Sequence, residues 1–351
     1  MKALRWHARG DLRLDEIDSR TPRQDEARIK IAWCGICGTD LHEFNAGPVM
    51  IPVQKPHPLT HERAPLTMGH EFSGEIIEIG DSVTGWQIGD RVTIEPLLFN
   101  PNSRASRLGL YNLCEDGGVV GLSGSGGGFA EEVTLPVSML HKLPDTVSLE
   151  QGALIEPAAV AVHAVRCSAF RPGDRVAVFG AGPIGLLLVE ALKAAGARDI
   201  YVVQRSEARR LRAAAMGVVT IDPAAEDPVQ TLMTLTDGGV DVAFEVTGAQ
   251  AMLDASLACT RVRGQTIIVS VWESPASFQP NVLLLQERNV LGVFTYCNVF
   301  PKVISMMEKG YFKAEDFVTA RVSLNDAVEK GFNALNEDRT QVKILVSAYK
   351  V

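Results

Sequence analysis

A turn of three glycines, Gly180-Ala181-Gly182-Pro183-Ile184-Gly185, does most to limit what this chain can fold into. It follows the apolar run RVAVF and opens the helix-patterned run PIGLLLVEALKAAGA, which is the strand, tight turn and helix order of a dinucleotide fingerprint. The first glycine permits the sharp turn, the second lets backbone approach a pyrophosphate, and the third packs helix on strand. Pro183 and Ile184 begin the helix, whose free N–H groups would face the phosphates. Downstream, DIYVVQ, VVTID, VDVAFEVTG and GQTIIVSV read as strands separated by helical stretches. That alternation indicates βαβ units around a parallel sheet, and within it the glycine turn reads as dinucleotide-binding rather than as a mere packing turn.

The first third of the chain has another texture. EARIKIAWCG, EFSGEIIEIG and DRVTIEP are short β-rich runs broken by Gly and Asp. Near Val147 the pattern changes, and VSLEQGALIEPAAVAVHAVRCS reads as a helical pair. The tail ends in the strand-like KILVSAY. With 351 residues, two or three domains are expected. The net charge of −8 argues against an extended nucleic-acid face, because counterion release needs a basic surface. The longest apolar run, Val176 to Val189, is too short and too Gly-rich to span a bilayer. The opening MKALRWHARGDLRLDE lacks a signal peptide's apolar stretch, so a cytoplasmic location is expected. Six scattered cysteines do not make a disulfide framework in a chain of this length.

One cysteine pair carries chemistry. Cys34-Gly-Ile-Cys37-Gly-Thr39-Asp40-Leu-His42 contains a CxxC that reads as half a zinc site, a redox pair or two buried thiols. Further on lie Gly69-His70-Glu71 and Glu156-Pro157. The run Gly69-His70-Glu71-x-x-Gly74-x5-Gly80-x-x-Val83 resembles the signature of zinc-containing medium-chain alcohol dehydrogenases. The similarity continues through the glycine turn to the end of the chain.

The resemblance implies an α/β protein of two parts. A GroES-like, β-rich catalytic domain would take residues 1–157 and 295–351, and a Rossmann domain with a doubly wound parallel sheet would take 158–294. The active site would lie in the cleft at the carboxyl ends of the Rossmann strands. Cys37 and His70 fall where the family places ligands of a catalytic Zn²⁺. Glu156 and Glu71 are both candidates for the third ligand, Glu156 preferred. The other reading of Glu71 is a carboxylate that orients a neighbouring Cys or His during catalysis. Thr39 matches the hydroxyl that receives the alcohol proton, and His42 the distal histidine of that relay. Many members carry a structural zinc on four cysteines; the matching positions here hold Asn100, Ser103, Ser106 and Cys114, so one zinc per subunit is expected.

Finer stretches resemble the (R,R)-butanediol dehydrogenase branch, among them PVQKPHPLTHERAPLTMGHEFSG, LSGSGGGFAEEV, EPAAVAVHAV and DAVEKGFNAL. The expected reaction is reversible hydride transfer between a nicotinamide and a small secondary alcohol, diol or hydroxyketone, with 2,3-butanediol and acetoin as the leading pair. A sorbitol-like polyol dehydrogenase is the second reading, and a non-catalytic NADPH-binding protein the third. The expected partners are a small-molecule substrate and further copies of the chain, as a dimer or tetramer, with no nucleic acid and no membrane. The strand DIYVVQ ends in Gln204-Arg205-Ser206, with Arg210 one turn on. No carboxylate stands where NAD-specific domains bind the ribose hydroxyls, and Arg205 brings a fork suited to a 2′-phosphate. NADP(H) is therefore expected over NAD(H).

The other candidates read more plainly. His7, His57, His61, His141 and His163 lack ligand spacing and are expected at the surface or in the core. Cys167, Cys259 and Cys297 sit among apolar residues and read as small hydrophobes. Trp272 and Tyr296, the latter closing the strand-like NVLGVFTY, either border a pocket or pack in the core.

Overall fold

A computed structural model describes residues Met1–Tyr349. The chain forms two compact units, Met1–Glu156 with Phe300–Val351, and Pro157–Val299. No helix among the described residues is long and apolar enough to cross a membrane.

The first unit is built on a seven-stranded sheet. Its strands run Leu140–Lys142, Arg91–Ile94, Glu71–Ile79, Glu26–Gly35, Lys343–Ser347 and Val318–Ser323, with Glu132–Pro136 also paired to Glu26–Gly35. Strand Glu26–Gly35 is central because EARIKIAWCG is apolar on both faces, and eight of its ten residues are buried. It pairs antiparallel with Glu71–Ile79, Gly35 standing opposite Glu71. On its other side Leu345 stands opposite Gly35. Three pieces of chain therefore meet at one end of the sheet. They are the segment leaving Gly35, the segment arriving at Glu71, and the start of Lys343–Ser347.

The second unit is a six-stranded, all-parallel sheet with helices packed on it. The order is Val219–Ile221, Asp199–Val203, Arg175–Phe179, Val240–Glu245, Thr260–Ile268, Asn289–Gly292. From Arg175–Phe179 the chain builds outward to one side, then returns and builds to the other. The switch point of this doubly wound sheet thus lies between Arg175–Phe179 and Val240–Glu245. Helix Pro183–Ala194 buries Gly185 through Val189, Ala191 and Leu192. Each such large aliphatic contributes about 1.5–3 kcal/mol of burial free energy, which fixes the glycine turn between strand and helix.

Three local expectations change. VSLEQGALIEPAAVAVHAVRCS is one helix, Leu149–Cys167, that runs through Pro157 rather than a pair. An interior proline costs roughly 3 kcal/mol, and here Ala153, Leu154, Ile155, Ala158, Ala159 and Ala161 are all buried around it, which offsets that cost. Tyr296 does not close a strand. The edge strand stops at Gly292, Thr295 and Asn298 take left-handed backbone, and Tyr296 turns fully into the core. Of the three cysteines expected as small hydrophobes, only Cys259 is buried, and burial pushes its thiol up to about 12. Cys167 is exposed on the last turn of its helix, with Sγ 3.5 Å from His163 Nε2, because residues four apart share a helix face. Cys297 is half-buried beside the Asn298 side-chain amide, 3.3 Å away.

Candidate metal centre and dinucleotide turn

The strand register of the first unit assembles the metal candidates. Cys37 lies two residues past Gly35 and His70 one residue before the strand Glu71–Ile79, so antiparallel pairing brings them together. Ligand-type atoms of Cys37, His70 and Glu71 all lie within 4.8 Å of one another. Cys37 is the N-cap of helix Gly38–Ala46, and its N–H donates to Asp40 Oδ2 at 2.9 Å. Asp40 is fully buried, and its other oxygen faces His70 Nδ1 at 3.4 Å. His70 Nδ1 and Asp40 Oδ1 are both buried without a hydrogen-bond partner. Burial alone would hold the His70 imidazolium down; the charges of Asp40 and Cys37 outweigh it and raise its pKa well above the usual value.

A divalent metal fits this donor set. Thiolate, imidazole and carboxylate are zinc ligands, and a metal on one ring nitrogen would fix the proton on Nδ1, satisfying the orphaned pair with Asp40. Glu71 has another engagement. Its two oxygens accept from Lys343 Nζ at 2.7 Å and 2.5 Å, and the same ammonium donates to Ile36 O at 3.1 Å. Glu156 is also buried, and its charge is among those that hold Lys343 protonated. The structure therefore groups Cys37, His70 and Glu71 directly and sets Glu156 in the same charged neighbourhood. Thr39 Oγ1 lies 3.8 Å from Cys37 Sγ. His42 is exposed three residues on, along the same helix.

Asp40 and Lys343 were not singled out by the sequence. Asp40 carried a signal, since a carboxylate three residues after an N-cap closes a capping box. Lys343 carried only a faint one, a lone charge opening the apolar run ILVS.

The lobe at 97–119 holds itself without four thiolates. Ser103 caps helix Arg104–Arg107 by accepting from Ser106 N at 3.1 Å, and the two hydroxyls meet at 2.9 Å. Asn100 N donates to Cys114 Sγ at 3.3 Å. Tyr111 donates to Glu95, whose other oxygen meets His141 Nε2 at 2.8 Å.

In the second unit the three glycines divide their roles as geometry demands. Gly180 has φ +114, and a Cβ there would press on Thr247 and Val246. A Cβ on Gly185 would collide with Gly180 O. Over Gly182 there is open space, and this N-cap residue leaves the N-terminal N–H groups of helix Pro183–Ala194 without a side-chain cap. Open backbone at an uncapped helix start fits a pyrophosphate.

At the next strand end, Arg205 is exposed. Ser206 is the N-cap of helix Glu207–Ala215, yet its hydroxyl makes no capping bond. Gln204 Oε1 faces Ser206 N at 3.4 Å. Arg210 is committed elsewhere: it donates to Gln204 O and Arg205 O and pairs with Asp222 at 2.8 Å. It braces the turn that carries Arg205.

Both units match known protein families. Residues 23–145 match the alcohol dehydrogenase GroES-like domain, and residues 183–309 match the zinc-binding dehydrogenase domain. The chain is 50% identical over 347 residues to (R,R)-butanediol dehydrogenase of Bacillus subtilis, covering 99% of each. The crystal structure of 2R,3R-butanediol dehydrogenase from that organism superposes with a TM-score of 0.95 at 49% identity, covering 99% of both chains. Sorbitol dehydrogenase of Bacillus subtilis is 34% identical, over 96% of this chain and 95% of that one. A Sinorhizobium meliloti protein of the zinc-binding dehydrogenase type, bound to NADP, gives a TM-score of 0.89 at 29% identity, covering 99% of this chain and 98% of that one.

Proposed function

The chain belongs to the zinc-containing medium-chain alcohol dehydrogenase family, and from that footing we propose that it moves hydride between NADP(H) and a small secondary alcohol, diol or hydroxyketone. The leading pair is 2,3-butanediol and acetoin. The observation that carries this reading is the cluster of half-buried Cys37 with buried His70 and Glu71, on a chain 50% identical to a butanediol dehydrogenase over 99% of its length. A polyol substrate is the second reading, supported by the more distant likeness to sorbitol dehydrogenase.

When bound, Zn²⁺ would supply Lewis acidity that makes an alcohol easier to deprotonate, and a nicotinamide would supply the hydride chemistry. Cys37, His70 and Glu156 are the metal ligands in this reading. Glu71 stays beside them, because an ammonium already occupies both of its oxygens. Asp40 holds the His70 ring by its Nδ1 side. The Thr39 hydroxyl takes the alcohol proton and His42 passes it toward water. The Gly180–Gly185 turn holds the pyrophosphate, with Pro183 and Ile184 starting the helix beneath it. Gln204, Arg205 and Ser206 receive the 2′-phosphate, and Arg210 shapes their turn.

One zinc per subunit is proposed, since the residues at 100, 103 and 106 are neutral groups spent on loop hydrogen bonds. A homo-oligomer is proposed because the edge strand Asn289–Gly292 and its surroundings expose Leu284, Leu285, Leu291 and Phe294. A cytoplasmic location completes the reading.

The test is a turnover screen of short diols, hydroxyketones and polyols with both nicotinamides, alongside elemental analysis of the purified protein. Turnover of acetoin or a vicinal diol by a zinc-loaded protein is expected. Faster turnover of polyols would move the assignment to the second reading, and metal-free protein inert on every carbonyl would overturn both.

A further inference from the structure

Glu245 is the last residue of the strand Val240–Glu245, directly beside the switch point: Phe179, which leads into the glycine turn, is its partner in register. It is fully buried. Its partners are all neutral donors. Oε1 accepts from Thr247 N at 2.7 Å, from the Thr247 hydroxyl and from Gly248 N at 3.2 Å, while Oε2 accepts from the Ser270 hydroxyl. Its own carbonyl accepts from Val269 N at 2.9 Å and Ser270 N at 3.3 Å. One residue thus ties the loop after its own strand to the loop after the neighbouring strand Thr260–Ile268.

Burying a carboxylate without a cation is costly, and only several strong donors offset it. The return here is local order at the carboxyl edge of the sheet. Thr247 is fixed twice, at N–H and hydroxyl, and its methyl is what a Cβ on Gly180 would strike at 2.8 Å. Gly248, with φ +68, lets the loop pass close to the Val271 carbonyl. The clamp therefore reaches from Ser270 through Thr247 to the glycine turn.

A doubly wound sheet binds a dinucleotide in two halves, one on each side of the switch point. The adenosine half belongs to the side of Asp199–Val203, where Arg205 and Ser206 stand. The nicotinamide half then belongs to the side of Val240–Glu245 and Thr260–Ile268, the two loops that Glu245 joins. We propose that Glu245 is a positioning residue for the nicotinamide, acting through Thr247, Gly248 and Ser270 to set the loops against which the ring lies. The inference rests on the dinucleotide reading of the preceding subsection.

The experiment compares wild type with Glu245→Gln and Ser270→Ala. Binding of NADPH is followed by its fluorescence, and binding of the adenosine fragment 2′,5′-ADP by calorimetry. Thermal unfolding and the deuterium isotope effect on kcat/KM for a diol complete the set. Glu245→Gln keeps the shape of the side chain but turns one acceptor oxygen into a donor, so the clamp loses its fit without leaving a void. The expected result is unchanged 2′,5′-ADP affinity, NADPH affinity about tenfold weaker, and hydride transfer slowed by about ten- to a hundredfold with a larger isotope effect. Ser270→Ala, which keeps the Thr247 and Gly248 bonds, is expected to move the same quantities less. Equal weakening of NADPH and the fragment, or a lowered unfolding temperature with both affinities unchanged, would make Glu245 a structural residue only. A Glu245→Gln variant too unstable to assay leaves the decision to Ser270→Ala, where unchanged NADPH affinity and isotope effect overturn the proposal. Wild type that binds 2′,5′-ADP but gains nothing from the nicotinamide end overturns this inference alone, and wild type that binds neither overturns the dinucleotide reading itself.

Discussion

Lys343 and Glu71, 272 positions apart in the chain, form an ion pair sealed from solvent, with Nζ 2.7 Å and 2.5 Å from the two carboxylate oxygens. Both side chains are almost wholly buried, at 2% and 1% exposure. Burial pulls the ammonium's pKa down; the charge of Glu71, then Cys37, more than offsets this and raises it above the ordinary lysine value. The pair sits over Gly35, where a Cβ would lie 2.2 Å from Glu71 Oε2 and 3.2 Å from Lys343 Cδ. The glycine is there for space, at the point where the central strand runs out toward Cys37.

Lys343→Ala should leave the Glu71 charge buried without its partner, which costs about 3–5 kcal/mol. Urea unfolding is the measurement. Adding Glu71→Gln to that variant should recover a good part of the loss, since the uncompensated charge is then gone. A loss below about 1 kcal/mol in the single variant would mean that water reaches Glu71 and replaces the lysine.

Legibility in the sequence followed sequence distance. The parallel sheet could be read because its signals are local: a glycine turn between an apolar run and a helix, then strands spaced by helices. Cys37 and Thr39 stood out through their resemblance to one short family motif, and the fold groups Cys37 with His70 and Glu71. Lys343 was not, because only the register of Lys343–Ser347 on Glu26–Gly35 brings it to Glu71. Glu245 reads in sequence as the polar end of an apolar strand, and its four donors appear only once two loops close on it. Arg210 lies one turn from Arg205 and is expected with it at the cofactor; that Asp222, at the end of the next strand, pairs with its guanidinium appears only in the fold.

His70→Ala and Cys37→Ser should each lose bound zinc and nearly all turnover, as a Lewis acid is worth several kcal/mol of charge stabilisation. Elemental analysis of the wild type should give one zinc per subunit, and of either variant close to none. Glu156→Gln should lose zinc as well, whereas Glu71→Gln should keep it at lowered activity. The opposite order would make Glu71 the third ligand. A wild-type ratio near two would show that the 97–119 lobe binds metal.

Acid stability should depend on Glu26. Burial pushes its carboxyl up, but the Arg20 fork, at 2.6 Å and 2.9 Å, and the Arg23 N–H, at 2.8 Å, outweigh it and hold the group below the usual range. A carboxyl whose folded pKa is depressed contributes stability above its unfolded value of about 4.3. That contribution falls away as pH drops through the folded value. Arg20 is half-exposed, which limits the pair to about 1–2 kcal/mol. Glu26→Gln should therefore unfold at lower urea than wild type near neutrality, and the gap should narrow below about pH 4. A gap that stays constant down to the acid limit would assign the loss to packing.

The choice of nicotinamide should turn on Arg205. A 2′-phosphate at the end of strand Asp199–Val203 needs donors and no nearby free carboxylate. The exposed Arg205 fork and the Ser206 hydroxyl, which makes no capping bond, supply the donors. Asp222, at the end of the adjoining strand, is neutralised by Arg210, which at the same time grips the carbonyls of Gln204 and Arg205. A charge-assisted hydrogen bond contributes about 1.5–3 kcal/mol, equal to roughly ten- to a hundredfold in affinity. Wild type should favour NADP(H) over NAD(H) in kcat/KM, and Arg205→Ala should reduce that ratio by about this factor while leaving NAD(H) use nearly intact. Arg210→Ala should also lower the ratio, because it frees the Asp222 carboxylate and loosens the turn. A wild type that prefers NAD(H), or a ratio unmoved by Arg205→Ala, would remove Arg205 from the phosphate site.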